Sequence, residues 1–244
     1  MAYKVFISPS DQTANTYAAG NTNEAVQCGK IGHATQDALK RCGFETMLVQ
    51  YEPMSSKCAK SDAFGADLHV PIHSNACNAN VTGTRIFYGV DGSAGHKAAK
   101  AILARLGPVT PGAPDMVQAY PQLYEIRVPK APTAYIEADF HDVAAVAGWI
   151  IDNTAVISEA ICQGICNYFG VQYIAPKSED KQTEEEDEAM RMQTINDVPD
   201  WAKKETQELI DAGALRGSEK GLDLTEDMLR TIIICKRYIE SQGK

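Results

Sequence analysis

The sequence predicts an α/β fold: a twisted, mostly parallel sheet flanked by helices on both faces, plus a small helical C-terminal appendage. Within residues 1–175, short runs rich in β-branched and aromatic residues alternate with longer stretches of helical periodicity. The length of 244 residues suits one large domain with an appendage. An apolar fraction of 44% and a charged fraction of 23% are typical of a globular protein.

The first half of the predicted domain alternates strand, helix, strand, helix. Residues 3–8 form a strand because β-branched and aromatic side chains dominate them. After a polar loop, helical periodicity begins near Glu24 and ends at Cys42 and Gly43, since glycine commonly terminates helices. Residues 44–49 are the second predicted strand, and a helix is expected over about residues 54–64.

Residues 66–75 form the predicted strand around which the domain is organised. Strand side chains point alternately to opposite faces. One face is therefore apolar, with Leu68, Val70 and Ile72, and the other carries His69, Pro71 and His73. His73 ends the strand, where open α/β sheets place their binding sites. His69 lies deeper in the strand and is expected to be a hydrogen-bonded core histidine.

The second half continues the alternation. Strands are predicted over residues 82–89 and 133–140, and helices over residues 94–106 and about 150–169. Residues 107–131 are rich in proline and glycine and are expected to form a loop. Alternating strands and helices indicate a mainly parallel sheet covered on both faces.

Charge divides the chain into three parts: a domain over residues 1–175, an acidic linker over residues 176–193 and a helical region over residues 194–244. The net charge is -9, and no basic patch is evident, so nucleic acid is not an expected partner. The C-terminal region carries two amphipathic helices with few large apolar residues. We expect it to pack on the main domain or, as a homo-oligomer, on another chain.

Two further features bear on location. No run of about 18 apolar residues is present, so membrane insertion is not expected. The N-terminus lacks the basic start and long apolar region of a signal peptide, which predicts synthesis in the cytoplasm. The seven cysteines are scattered; Cys162 and Cys166 stand four apart on a predicted helix and are interpreted as reduced, partly buried thiols.

Four polar residues fall near predicted strand ends or helix starts, where they have access to a common site: Asp11, Glu24, His73 and Glu137. Two carboxylates and one imidazole make a three-ligand zinc site with a position left for water. A further carboxylate in an apolar strand is costly to desolvate, so it needs a partner or a function. From spacing alone the ordinary alternatives remain open: a turn aspartate, a helix-start glutamate and a hydrogen-bonded strand-end histidine.

Five segments between residues 3 and 172 carry a family resemblance: NTNEAVQ, CGFETMLV, GADLHVPIHSNA, GTRIFY and PTAYIEADFHD. In order and spacing they resemble the zinc-dependent N-acetylmuramoyl-L-alanine amidases of the type 3 family. The resemblance implies a peptidoglycan hydrolase that cleaves the amide between N-acetylmuramic acid and L-alanine. It also implies a twisted, mostly parallel sheet flanked by helices.

The resemblance assigns roles to the four polar residues. Glu24 and His73 match metal ligands of the family, and Glu137 matches its catalytic glutamate. The family usually has histidine where this chain has Asp11, whose carboxylate is also able to bind zinc. A metal-free cell-wall-binding module and another zinc peptidase on the same scaffold, such as a carboxypeptidase, remain alternatives.

The C-terminal region and the absence of a signal add two expectations. Residues 197–217 resemble the first half of a surface-layer-homology repeat, a module that binds cell-wall polymers. Its basic signature is replaced here by Leu224-Thr225-Glu226-Asp227, so packing or dimerisation is an equal alternative. A wall hydrolase without an export signal suits a phage or prophage lysin that reaches the wall after release.

Overall fold

The computed structural model describes residues 2–177, 191–218 and 221–242. The chain divides into two compact units, Met1–Pro176 and Lys177–Lys244. Most of the predicted acidic linker, residues 176–193, lies outside the described residues.

The larger unit is built on a six-stranded sheet with the strand order β2-β1-β3-β6-β4-β5. The strands are β1 Lys4–Pro9, β2 Glu45–Leu48, β3 Leu68–Asn75, β4 Arg85–Tyr88, β5 Met116–Ala119 and β6 Tyr135–Phe140. All neighbours pair in parallel except β4 and β6, which are antiparallel. The predicted α/β fold with a mostly parallel sheet is therefore confirmed.

Helices cover both faces of this sheet. They are α1 Glu24–Arg41, α2 Met54–Phe64, α3 Ala94–Leu106, α4 Tyr124–Arg127, α5 Ala144–Asp152 and α6 Thr154–Phe169. On one face, α1 packs on β1 and β3, α3 packs on β4 and β5, and α6 packs on α1 and α3. The side chains on the other face meet α2 and α4, because His69 of β3 contacts Ser61 and Glu125 on those helices.

The main core lies between the sheet and helices α1, α3 and α6. Its fully buried members include Val5, Ile7, Ile31, Leu39, Val70, Ile72, Ile136, Ile102 and Ile161. Removing each such side chain from water contributes about 1.5–3 kcal/mol. This burial fixes the sheet rigidly, and the carboxyl ends of β1, β3 and β6 are fixed with it.

Two segments differ from the sequence prediction. The expected loop over residues 107–131 contains the strand β5 and the short helix α4; β5 is mostly exposed and so lacks the apolar alternation that marks a strand. The helix expected to start near residue 150 is two helices that meet at Asn153. Among the described residues no single helix is long and apolar enough to cross a membrane; α5 and α6 together meet those criteria but are bent by 77°.

The smaller unit contains helices α7 Asp200–Asp211 and α8 Glu226–Gln242. The backbone N–H of Met228 donates to the hydroxyl of Thr225 over 3.2 Å, so Thr225 caps the N-terminus of α8. This unit has an apolar cluster of its own, formed by Met192, Val198, Ala202, Leu224, Leu229 and Ile233.

Candidate active site

His73 and Glu24 form the centre of a buried polar site. His73 lies near the end of β3, and Glu24 is the first residue of α1, where the helix dipole favours a carboxylate. His73 Nδ1 lies 2.8 Å from Glu24 Oε1. Both side chains are nearly inaccessible, with exposures of 7% and 1%. Two residues that are 49 positions apart are thus brought into direct contact, as the site prediction requires.

Each partner keeps the other charged. Burial raises the pKa of Glu24, but hydrogen bonds from His73, Asn15 and Ser10 and the charge of His73 outweigh it, so the net shift is downward. Burial lowers the pKa of His73, but the Glu24 hydrogen bond and the charges of Glu137 and Glu24 outweigh that effect, so its pKa is raised. Without a metal, the two side chains therefore favour an ion pair.

Glu137 lies beside His73 in the sheet. The two residues are paired in register across the parallel strands β3 and β6, which places their side chains on one face. Tyr135, two residues earlier on that face, stacks on the His73 ring with a centroid distance of 4.7 Å. Burial, and to a lesser extent the charge of Glu24, raise the pKa of Glu137 to about 8, although His73 opposes the shift. Near neutral pH this carboxyl group is poised to hold or release a proton.

One imidazole nitrogen and one carboxylate oxygen of the site have no hydrogen-bond partner among the described residues. His73 Nε2 and Glu137 Oε2 are both shielded from solvent and unpaired in the described part of the chain. Buried polar atoms are satisfied in most proteins, so unpaired atoms that share one face of a sheet indicate a place for a ligand.

Asp11, the remaining predicted ligand, faces a different partner. Its Oδ2 lies 3.4 Å from Nζ of Lys57. Lys57 itself is almost fully buried and also donates to the carbonyl of Pro9 over 3.1 Å. The structure therefore brings Glu24, His73 and Glu137 together, while Asp11 is held at the edge of the site by a buried cation.

Gln12 and Asn15 belong to the site, although the sequence pattern did not single them out. Gln12 Nε2 lies 3.4 Å from His73 Nδ1. Asn15 Nδ2 donates to Glu24 Oε2 over 2.7 Å and to Gln12 Oε1 over 2.9 Å. The only sequence signal was the polar loop after β1, in which many Asn, Gln and Thr residues are equivalent candidates.

A second buried network surrounds Ser74, the residue after His73. Its hydroxyl lies 2.8 Å from Tyr17 Oη and 2.9 Å from His141 Nδ1. The rings of Tyr17 and His141 stack with a centroid distance of 4.8 Å. These contacts tie the end of β3 to the loops after β1 and β6, and they hold the backbone that carries His73.

His69 and Arg85 have structural partners of their own. His69 is fully buried, stacks on Phe6 and contacts Ser61 and Glu125, which confirms the prediction of a hydrogen-bonded core histidine. The Arg85 guanidinium donates to backbone carbonyls of Thr82, Gly83, Thr84 and Pro114. These contacts hold together the backbone segments before β4 and before β5.

The donor set fits a metal ion in part. Glu24 Oε1 and Gln12 Nε2 both approach His73 Nδ1, so a carboxylate and an imidazole converge on one point. Within the described residues, however, the one group of three histidine, cysteine or acidic side chains with donor atoms within 4.8 Å of one another is Cys42, Cys162 and Cys166. Glu24 and His73 thus lie close enough together to share one ion, and Gln12, in the turn after β1, is a third polar residue in contact with His73.

Comparison with known families identifies a match over most of the larger unit. Residues 5–167 match the sequence profile of a family described as N-acetylmuramoyl-L-alanine amidase, Amidase_3. The matched segment spans β1 through α6 and includes Asp11, Glu24, His73 and Glu137. A sequence search of curated proteins finds no significant match.

Solved structures share the fold of the larger unit. The catalytic domain of CwlV, an N-acetylmuramoyl-L-alanine amidase from Bacillus (Paenibacillus) polymyxa, superposes with a TM-score of 0.64 at 18% identity, covering 70% of this chain and 99% of that one. AmiC2 of Nostoc punctiforme gives 0.61 at 18% identity, covering 69% and 97%. The catalytic domain of the endolysin CD27L, which targets Clostridia difficile, gives 0.59 at 21% identity, covering 68% and 97%.

Proposed function

Because the chain belongs to the N-acetylmuramoyl-L-alanine amidase family, we propose that it is a metal-dependent peptidoglycan amidase with Glu24 and His73 as zinc ligands and Glu137 as the catalytic acid–base. The observation that carries the proposal is the buried, unpaired Oε2 of Glu137 beside the His73–Glu24 pair. A bound zinc ion would supply Lewis-acid polarisation of the amide carbonyl and lower the pKa of the attacking water.

The chain's own residues supply the remaining chemistry. The Glu137 carboxylate accepts the proton of the attacking water and then delivers it to the leaving nitrogen of L-alanine. Its raised pKa suits both halves of this transfer, since a group that titrates near neutrality accepts and releases a proton readily. Asn15 orients Glu24 through its 2.7 Å hydrogen bond, and Tyr135 shields one face of the His73 ring.

The third zinc ligand comes, in this proposal, from the turn after β1. Asp11 offers the anionic oxygen that the sequence pattern predicts, but ligation requires it to leave Lys57. Gln12 already faces His73 and offers a neutral amide oxygen once its amide turns. Asp11 as a ligand stays a prediction, and the two residues are distinguishable by substitution.

We further propose that the protein acts on the wall as a phage or prophage lysin after release from the cell in which it is made. Support comes from the fold that the larger unit shares with an endolysin catalytic domain.

Product analysis tests the activity. Purified cell wall is digested with the full chain, with and without zinc, and newly formed amino termini are labelled and identified. We expect new N-terminal L-alanine, lost after chelation and restored by zinc. Release of D-alanine instead would indicate a carboxypeptidase, and wall binding without any cleavage would indicate a binding module. His73→Ala is expected to lose activity together with the zinc ion held by Glu24 and His73.

A further inference from the structure

Three buried cysteines meet at the end of α1 that lies away from the proposed active site. Cys42 closes α1 at its C-terminus, and Cys162 and Cys166 lie one turn apart on α6. Their exposures are 6%, 0% and 0%. Since α1 rises about 1.5 Å per residue, Cys42 is separated from Glu24 by about 27 Å along the helix. The cluster is therefore independent of the Glu24–His73 site.

The spacing of the sulfur atoms suits one shared ion. With metal–sulfur bonds of about 2.3 Å, a tetrahedral ion holds its sulfur ligands about 3.8 Å apart. The Cys42 and Cys162 sulfurs are 3.7 Å apart, and all three sulfurs lie within 4.8 Å of one another. No large side-chain movement is needed to bring the three donors to bonding distance.

The cluster is contacted by a backbone donor. The backbone N–H of Ile174 donates to the Cys42 sulfur over 3.3 Å, a contact that stabilises a negatively charged sulfur. The nearby carboxylate of Glu159 is already bonded to Arg41 and to Tyr173, each over 2.6 Å.

We propose that Cys42, Cys162 and Cys166 bind a divalent thiophilic ion of the zinc class. Thiolate sulfur is a soft ligand that selects such ions over magnesium or calcium. A divalent ion with three thiolates leaves one net negative charge, whereas a monovalent ion leaves two. The buried cluster therefore favours the divalent ion, because uncompensated charge is costly away from water. A water molecule or the Ile174 carbonyl, 3.7 Å from the Cys42 sulfur, completes the coordination.

Cadmium is the probe that separates this site from the proposed active site. Its bonds to sulfur give an ultraviolet charge-transfer band that carboxylate and imidazole ligands do not give. The titration uses the reduced full chain carrying Cys77→Ser and Cys235→Ser, because these two thiols are exposed. We expect the band to saturate at one cadmium ion per chain. No band in the folded protein would overturn the proposal.

Single substitutions locate the ligands. In the same background, Cys162→Ala and Cys42→Ala are each expected to abolish the band; Cys42→Ala provides the second test because its position at a helix end tolerates truncation better than a site inside α6. Cys58→Ala is the matched control, since Cys58 is equally buried but lies on α2. Its band should be unchanged. A band that survives both cluster substitutions, or that is lost in Cys58→Ala, would contradict the assignment.

Discussion

At the scale of single residues, Glu137 has the least usual environment in the proposed site. A carboxyl group that shares a sheet face with His73 and Tyr135, and that leaves one oxygen unpaired, is held partly out of water by the fold itself. The same burial that makes the carboxylate costly makes it an effective proton carrier near neutral pH.

Replacing Glu137 tests its role in turnover. Glu137→Gln keeps the shape of the side chain but removes the titrating oxygen, so we expect turnover to fall by about 10²–10⁴-fold. Zinc content should be unchanged, because Glu24 and His73 are intact. The rate is followed as new amino termini from purified wall. Glu45→Gln, at an exposed position on β2, is the control and should match the wild type. Full turnover by Glu137→Gln would reject the assignment.

The raised pKa of Glu137 also predicts how stability depends on pH. In chelator, the folded carboxyl has a pKa of about 8, against an ordinary value of 4.5. Between these values the folded state holds a proton that the unfolded state has released, so stability falls as pH rises. We expect the unfolding free energy of the wild type, relative to Glu137→Gln, to decrease from pH 4.5 through pH 8. Urea titrations measure it; a difference that does not vary with pH would contradict the prediction.

Paired substitutions in the turn after β1 identify the third zinc ligand. Because Gln12 faces His73 whereas Asp11 contacts Lys57, we expect Gln12→Ala to weaken zinc binding more than Asp11→Ala. Calorimetric titration of each metal-free variant with zinc gives its zinc affinity without reference to activity. The reverse order would assign the position to Asp11, in agreement with the sequence pattern.

The sequence predicted part of the site because motifs report on residues within one segment. Glu24, His73 and Glu137 are recognisable from their segments, and the structure places them together. The direction of Asp11 was not predictable, since it depends on Lys57, which comes from α2 and is buried only in the folded chain. Gln12 was missed for the same reason: its contact with His73 crosses 61 residues.

At the scale of elements, the close approach of α3 and α6 determines how the sheet is covered. Gly164 lies where the two helices meet, and a Cβ atom there would lie 2.4 Å from Cα of Ile102. The contact is made with backbone, which cannot turn aside as a flexible side chain can. The two helices must therefore separate if any side chain is introduced at this position.

Two glycine substitutions test this contact. Gly164→Ala should lower the unfolding free energy by about 1–3 kcal/mol, because it overpacks a backbone contact. The Cβ of Gly148→Ala on α5 meets no described residue within 4 Å, so this variant should be neutral or stabilise the protein by about 0.5–1 kcal/mol through helix propensity. Chemical denaturation of both variants measures the difference, and equal effects would show that α3 and α6 adjust freely.

Helices and strands whose apolar residues recur at regular spacing were predictable, whereas those without such a pattern were not. Helix α3 has the predicted bounds of residues 94–106 because its buried positions recur at helical spacing. Strand β5 was missed because its residues are mostly exposed at the sheet edge. The break at Asn153 was missed although the polar run Asp152-Asn153-Thr154 separates the apolar residues of α5 from those of α6.

At the scale of the whole molecule, the proposed site belongs entirely to one unit. Every contact described for Glu24, His73 and Glu137 is made by residues of Met1–Pro176. The role of the smaller unit, residues 177–244, is not fixed by these contacts. The resemblance of residues 197–217 to a wall-binding repeat stays a prediction.

The outer surface of α8 supports a proposed role in homo-oligomerisation. Ile234, Tyr238 and Ile239 are 66%, 65% and 69% exposed, an unusual exposure for large apolar side chains. We expect the full chain to be a dimer at micromolar concentration by light scattering. Ile234→Glu combined with Tyr238→Glu should yield a monomer that still digests wall. If light scattering gives the same molar mass for the wild type and the double variant, this role for α8 is rejected.

The in-register pairing of His73 with Glu137 has a consequence for how such an enzyme can diversify. His73 and Glu137 are direct partners across the central strands β3 and β6. A shift of either strand by one residue would turn its side chain to the opposite face of the sheet. The relative position of His73 and Glu137 is thus set by strand pairing, whereas Gln12 and Asn15 reach the site from the turn after β1. Changes in the outer loops that leave these four residues in place would therefore keep the site and alter only the surface around it.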